Sequence, residues 1–132
     1  MTTQATGTVE MKSWDEDRFG EFEDGTGLSR AKVTQELSGD VEGEGLTEWL
    51  MFYRSDGTAD FVGLLRVSGR LAGRDGTFVL ENRGTFDGSV AAGPVKVVPG
   101  SGTGELAGLR GEGDFSAPMG STASLTLEYD LG

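Results

Sequence analysis

Apolar and polar residues alternate at a period of two almost from end to end of this chain, and that single pattern removes most folds from consideration. In Ala123-Ser124-Leu125-Thr126-Leu127-Glu128-Tyr129-Asp130-Leu131 every odd position is apolar and every even one polar, as a strand with one buried face requires. Ala31-Lys32-Val33-Thr34-Gln35-Glu36-Leu37 repeats the pattern and stops at Ser38-Gly39-Asp40. Further strands are predicted over Thr6–Ser13, Leu46–Arg54, Ala59–Val67, Thr77–Phe86, Val95–Val98 and Glu112–Phe115, with Ser68–Leu71 continuing the fourth. Ser55-Asp56-Gly57, Arg74-Asp75-Gly76 and Asp87-Gly88 lie between apolar runs and carry hairpin-turn chemistry, glycine supplying positive φ. Asp15–Ser29, rich in Asp, Glu and Gly, reads as a loop over one end.

About eight short strands and no convincing helical run define an all-β fold, either a sandwich or a closed antiparallel barrel. The barrel is preferred because closure leaves no exposed edge. With 132 residues the chain, 1–132, forms one domain.

Composition narrows the chemistry. A formal net charge of -11 argues against nucleic acid and against an anionic membrane surface, since phosphate binding needs a basic footprint. Cysteine and histidine are both missing from the sequence, which removes thiolate nucleophiles, Ser-His and Cys-His pairs and imidazole metal sites. No bound metal and no cofactor is expected. Met1 to Trp14 has neither a basic nor an apolar leader segment, so the protein is expected in the cytoplasm.

Two motifs fail on inspection. Gly102-Thr103-Gly104-Glu105-Leu106-Ala107 fits G-x-G-x-x-A, yet Arg110-Gly111-Glu112-Gly113 stops any helix after one turn, so the dinucleotide fingerprint lacks its helix. Asp15-Glu16-Asp17-Arg18-Phe19-Gly20 opens like a calcium loop, but Phe19 stands at the fifth position, which must supply an oxygen ligand, and Thr26 at the twelfth, where a bidentate glutamate is needed.

Any chemistry therefore belongs inside the barrel. Parity turns Phe61 and Leu65 to one face of the fourth strand, and Phe78, Leu80 and Asn82 to one face of the next. Gln35 and Asn82 are polar positions on otherwise apolar faces, readable as structural amides or as ligand contacts. Trp14 and Trp49 read as core or as a ligand platform. The acid-base candidates are Glu16, Glu48, Tyr53 and Glu81. Glu48 and Tyr53 lead, because the face of Glu48 continues with Leu50 and Phe52 and desolvation there would raise its pKa. Trp49, Leu50, Met51, Phe52 and Tyr53 put apolar groups on both faces of one strand, which is most simply explained by a homodimer covering the outer set.

Val97-Val98-Pro99-Gly100-Ser101-Gly102-Thr103-Gly104-Glu105-Leu106-Ala107-Gly108-Leu109-Arg110-Gly111 resembles the C-terminal signature of the bacterial DUF3224 family, small barrels distantly similar to plant allene oxide cyclases. The resemblance extends through Ser13-Trp14-Asp15-Glu16, Leu50-Met51, Gly57-Thr58-Ala59-Asp60-Phe61-Val62-Gly63, Gly69-Arg70-Leu71-Ala72-Gly73-Arg74 and Gly76-Thr77-Phe78-Val79-Leu80. It implies an allene oxide cyclase-like or lipocalin-like barrel with an interior pocket. It also implies a departure: many relatives carry glutamate where this chain has Leu65 and histidine where it has Asn82. The expected pocket is greasier than theirs, lined by Trp14, Gln35, Phe61, Leu65, Phe78, Leu80 and Asn82.

Three functions fit. The resemblance favours a cofactor-independent cyclase or isomerase acting on a hydrophobic small molecule, as in secondary metabolism, because folding a reactive substrate needs neither metal nor histidine. The others are a non-catalytic small-molecule binder and a structural or stress-related homodimer whose interior is filled. The contents of the barrel separate them.

Overall fold

The computed structural model describes residues 2–119 and 122–131. Eight antiparallel strands close into a barrel in sequence order: β1 (Thr3–Glu21), β2 (Gly27–Gly39), β3 (Val41–Tyr53), β4 (Ala59–Leu71), β5 (Arg74–Phe86), β6 (Val90–Val97), β7 (Arg110–Pro118) and β8 (Ala123–Asp130), with β8 hydrogen-bonded back to β1. Among the described residues the one helical element is a 3-10 turn at Gly104–Leu106. None of the described helical segments is long and apolar enough to cross a membrane.

The inward set follows the sequence period. Val33, Leu37, Phe61, Phe78, Leu80, Leu125 and Leu127 are all buried. Period-two strands closed on themselves have one place to put their apolar face.

The hairpins at Gly57 (φ +90°) and Gly88 (φ +100°) fall where the turn chemistry puts them. The β4–β5 turn does not. Its central residues are Ala72 (φ +50°) and Gly73 (φ +83°), positive at both positions as in a type I′ turn. Gly76 lies inside β5, where its missing side chain lets the Thr103 carbonyl approach.

Asp15–Ser29 is not an irregular loop. β1 continues to Glu21 and pairs with β2 as far as Glu21 opposite Gly27, so the segment is a hairpin whose β1 arm runs beyond its pairing with β8 while its β2 arm stays paired with β3. Ladder hydrogen bonds between two strands outweigh the poor strand propensity of its Asp and Gly residues. Along it, register shifts at Lys12 and Phe19 insert extra residues, each a β-bulge that reverses which face the following side chains take. Ala5, Gly7, Val9 and Met11 point inward before the first bulge; Trp14 and Glu16 point inward after it.

The two ends differ. At the end marked by Gly39, Leu71 and Asp130, the glycine-rich segment after β6 folds back: Val98 N–H and Thr103 N–H donate to the carbonyls of Val79 and Thr77. The 3-10 turn then drops Leu106, together with Leu109, into the opening, both buried. That end is plugged. At the other end, that of the β1–β2 turn, the described residues leave an opening.

Candidate active-site cavity

The open end leads into a cavity of about 660 Å³ bounded by Met11, Trp14, Met51, Phe61, Phe86 and Phe115, with Val9, Trp49, Tyr53, Ala59, Ala91, Ala117 and Ala123 in the same wall and Glu10, Pro118, Met119 and Thr122 also lining it. Its size falls in the range that encloses a drug-sized molecule. Small residues make the room and large rings define its shape.

Trp49 forms the floor. Its ring lies 5.7 Å from that of Trp14 on β1, 6.1 Å from Phe61 on β4 in an edge-to-face arrangement, and 6.1 Å from Phe115 on β7. It can lie across the barrel because its neighbour on β4 is Gly63, where a Cβ would collide with the indole and with the Glu48 carbonyl. Below it, Nε1–H donates to Asn82 Oδ1 at 3.2 Å, and Asn82 Nδ2 donates to the Pro94 carbonyl at 3.1 Å. Aromatic contacts fix the ring's plane and the hydrogen bond fixes its rotation.

The residues that the sequence assigns to a pocket divide by depth. Trp14, Tyr53 and Phe61 line the cavity. Gln35, Leu65, Phe78, Leu80 and Asn82 also point inward, but they are buried and do not line it. Thr47 Oγ1 donates to Gln35 Oε1 at 2.6 Å and Gln35 Nε2 donates to Met11 Sδ at 3.4 Å, so both amides are engaged with the protein. Parity reveals a side chain's face; it carries no information on its height along the barrel.

Glu48 is misplaced by the sequence reading. It lies on the outer wall, half exposed and 3.2 Å from Arg30, and is not desolvated. Its face does continue with Leu50 and Phe52, but that face is the exterior. Five positions apart on a regular strand, Glu48 and Tyr53 necessarily take opposite sides, so they cannot form one site. Glu81 is likewise exposed on the outer face of β5.

Glu16 takes the place expected of Glu48. Its Oε2 accepts from Ser29 Oγ at 2.6 Å and from Tyr53 OH at 2.9 Å, and its Oε1 accepts from Trp14 Nε1 at 2.9 Å. Partial burial pushes its pKa up, but the three hydrogen bonds and the nearby Arg18 charge outweigh it and hold the carboxyl below its ordinary value. Tyr53 goes the other way. Desolvation, then the Glu16 hydrogen bond and charge, push the phenol up to about 12 against the opposing Arg18, whose guanidinium sits 5.0 Å from the Tyr53 ring centre. Near neutral pH the pair is therefore a carboxylate held by a neutral phenol.

The sequence singles out Trp14, Glu16 and Tyr53 separately but gives no sign that they meet, because the bulge at Lys12 is what turns Trp14 and Glu16 inward. Met11, Met51, Phe86 and Phe115 were legible only as apolar positions on strands. Among the described residues, no group of three or more Asp and Glu side chains is placed to hold a metal ion.

A small closed barrel, plugged at one end and holding an aromatic cavity at the other, is the class that the geometry defines. The chain belongs to the DUF3224 family, described as a protein of unknown function, whose family model matches residues 5–129. It is similar to the crystal structure of a protein with unknown function from that family in Shewanella oneidensis MR-1, with 28% identity, a TM-score of 0.85, and 100% of this chain and 99% of the other covered. The curated proteins contain no match.

Proposed function

We propose that this protein binds a neutral, apolar, ring-bearing small molecule in the barrel and does not transform it by proton transfer. The observation that carries this reading is the cavity itself: a wall of rings and methyl groups over a fixed tryptophan floor, open at one end. An ionised Glu16 hydrogen-bonded to the lining residues Tyr53 and Trp14, Glu10 in the cavity wall and a net charge of -11 all disfavour an anionic ligand. Acid-base catalysis is supported poorly. A general acid or base works best with a pKa near the operating pH, and Glu16 and Tyr53 are displaced away from neutrality on opposite sides. Cyclisation by substrate folding alone is a second reading, favoured by the packed rings that shape the wall, since conformational restriction needs no titrating group.

Titration with the neutral dye N-phenylnaphthylamine tests the proposal, with Trp14 and Trp49 as energy-transfer donors. Saturation at one dye per chain is expected, with Kd on the order of 1–10 µM. Ala117→Trp, which fills the cavity from β7, should abolish it. Absence of saturable binding, or binding unchanged in a folded Ala117→Trp variant, would remove the basis for a binding function.

A further inference from the structure

The outer wall of β3 and β4 carries Leu46, Leu50, Phe52, Val62 and Leu64, each between 38% and 58% exposed. Outward-facing strand residues normally contact water, and isolated apolar ones are common. A contiguous set on two paired strands is not. The registers fix its layout in four rows. Phe52 lies beside Asp60, Leu50 beside Val62, Glu48 beside Leu64, and Leu46 beside Arg66. Flanking strands extend the two central rows, with Arg30 and Arg83 next to Leu50 and Val62, and Lys32 and Glu81 next to Glu48 and Leu64.

This layout has a hidden symmetry. Stacking a second copy face to face, with the two-fold axis crossing the strands between the middle rows, reverses the row order of the partner. Phe52 then meets the partner's Leu46, Val62 meets the partner's Leu64, Asp60 meets the partner's Arg66, and Arg83 meets the partner's Glu81. Apolar faces apolar, and acid faces base. The exceptions are Leu50, which meets the partner's Glu48, and Arg30, which meets the partner's Lys32; Glu48, already 3.2 Å from Arg30, sits between these cations. The other two-fold arrangement, with the axis along the strands, sets Asp60 on Phe52, Arg66 on Leu46 and Glu48 on Leu64, desolvating three charges against apolar groups, which is costly. We propose that this wall is where a second copy of the chain docks, around a two-fold axis that crosses the strands.

The size of the surface sets the strength. Four strands ~4.8 Å apart and four outward rows ~6.8 Å apart give a footprint of roughly 500 Å², an upper figure for a convex barrel wall. That is below the ~800 Å² per partner of tight complexes and belongs with weak, reversible pairs. Dissociation on the order of 10–100 µM is expected.

Sedimentation equilibrium on the full chain up to about 1 mM reads this directly, with melting temperature as the check on folding. Arg66→Asp should set a new carboxylate against Asp60 at both symmetry-related contacts and leave a monomer. Asp60→Arg should do the same by setting guanidinium against guanidinium at both. Mixing the two single variants should restore association as a heterodimer, because each then meets its opposite twice. Leu64→Glu, a second probe at the centre with the same melting-temperature check, should be monomeric and unrescued by mixing with either charge variant. A monomeric wild type at the highest concentration overturns the proposal. So does a dimer that persists in both folded charge variants, or variants that fail to associate on mixing.

Discussion

Asn82→Leu offers a direct measure of how firmly the cavity floor is held. In the native protein the Asn82 amide accepts from Trp49 and donates to Pro94. Leucine removes both. A buried donor left without a partner costs about 1–3 kcal/mol, and the lost bond to the more exposed Pro94 carbonyl adds about 0.5–1 kcal/mol. Leucine's apolar burial offsets part of this, leaving a net loss of about 2–3 kcal/mol. Unfolding entropy near 2.1 cal/mol/K per residue gives roughly 0.28 kcal/mol/K for 132 residues, so the melting temperature should fall by about 7–11 °C. Thermal denaturation followed by circular dichroism gives the shift, and tryptophan emission reports the freed indole. Asn82→His supplies the control. A neutral imidazole has one donor and one acceptor, so it can replace both functions of the amide, and near pH 8 this variant should lie within about 1 kcal/mol of wild type. The unfolded imidazole takes up a proton near pH 6.5 while the buried one, needed as an acceptor, resists it. Its stability must therefore drop as the pH falls below about 6.5. An Asn82→Leu variant melting within about 2 °C of wild type, equivalent to ~0.6 kcal/mol, would refute the claim that this amide anchors the floor.

Four further outcomes are expected. Leu106→Ala, at the plugged end and fully buried, should cost about 2–5 kcal/mol while leaving dye affinity unchanged, because the plug lies beyond the floor; a parallel loss of affinity in dye titration would contradict that separation. In a Tyr129→Phe background the remaining phenol, Tyr53, should titrate in the ultraviolet at about 12, and adding Glu16→Gln should lower that value because a charged acceptor is lost. Glu16 has a folded pKa below its unfolded one, so its stabilisation is present above about pH 4.3 and is lost as the pH falls through the lower folded value; Glu16→Gln should make acid unfolding, followed by circular dichroism, less steep. Leu65→Glu should cost about 3–5 kcal/mol by burying an unpaired carboxylate, and Asn82→His should recover part of it. In the registers Leu65 pairs with Leu80 and Gly63 with Asn82, which makes positions 65 and 82 diagonal neighbours, and a double-mutant cycle measures the coupling.

From the sequence alone came the strand count, the antiparallel order implied by glycine turns, and the inward faces of β2, β4, β5 and β8. Those follow because a period of two is a local property of the chain, and one buried face is all that a closed sheet provides. The tertiary structure decided three things. It fixed height: Phe61 lines the cavity while Leu65, four positions along the same strand and on the same face, is core, because Trp49 lies between those levels and Leu106 closes the barrel beneath them. It fixed phase: one unpaired residue at Lys12 turned Trp14 and Glu16 inward, and a bulge arises from the pairing of β1 with β2 and not from either strand. It also fixed which face of β3 is the interior. Both faces of Trp49–Tyr53 are apolar, so hydrophobicity could not choose between them, and the closure of β3 against Gly63 and Asn82 put Trp49 inside and Glu48 out.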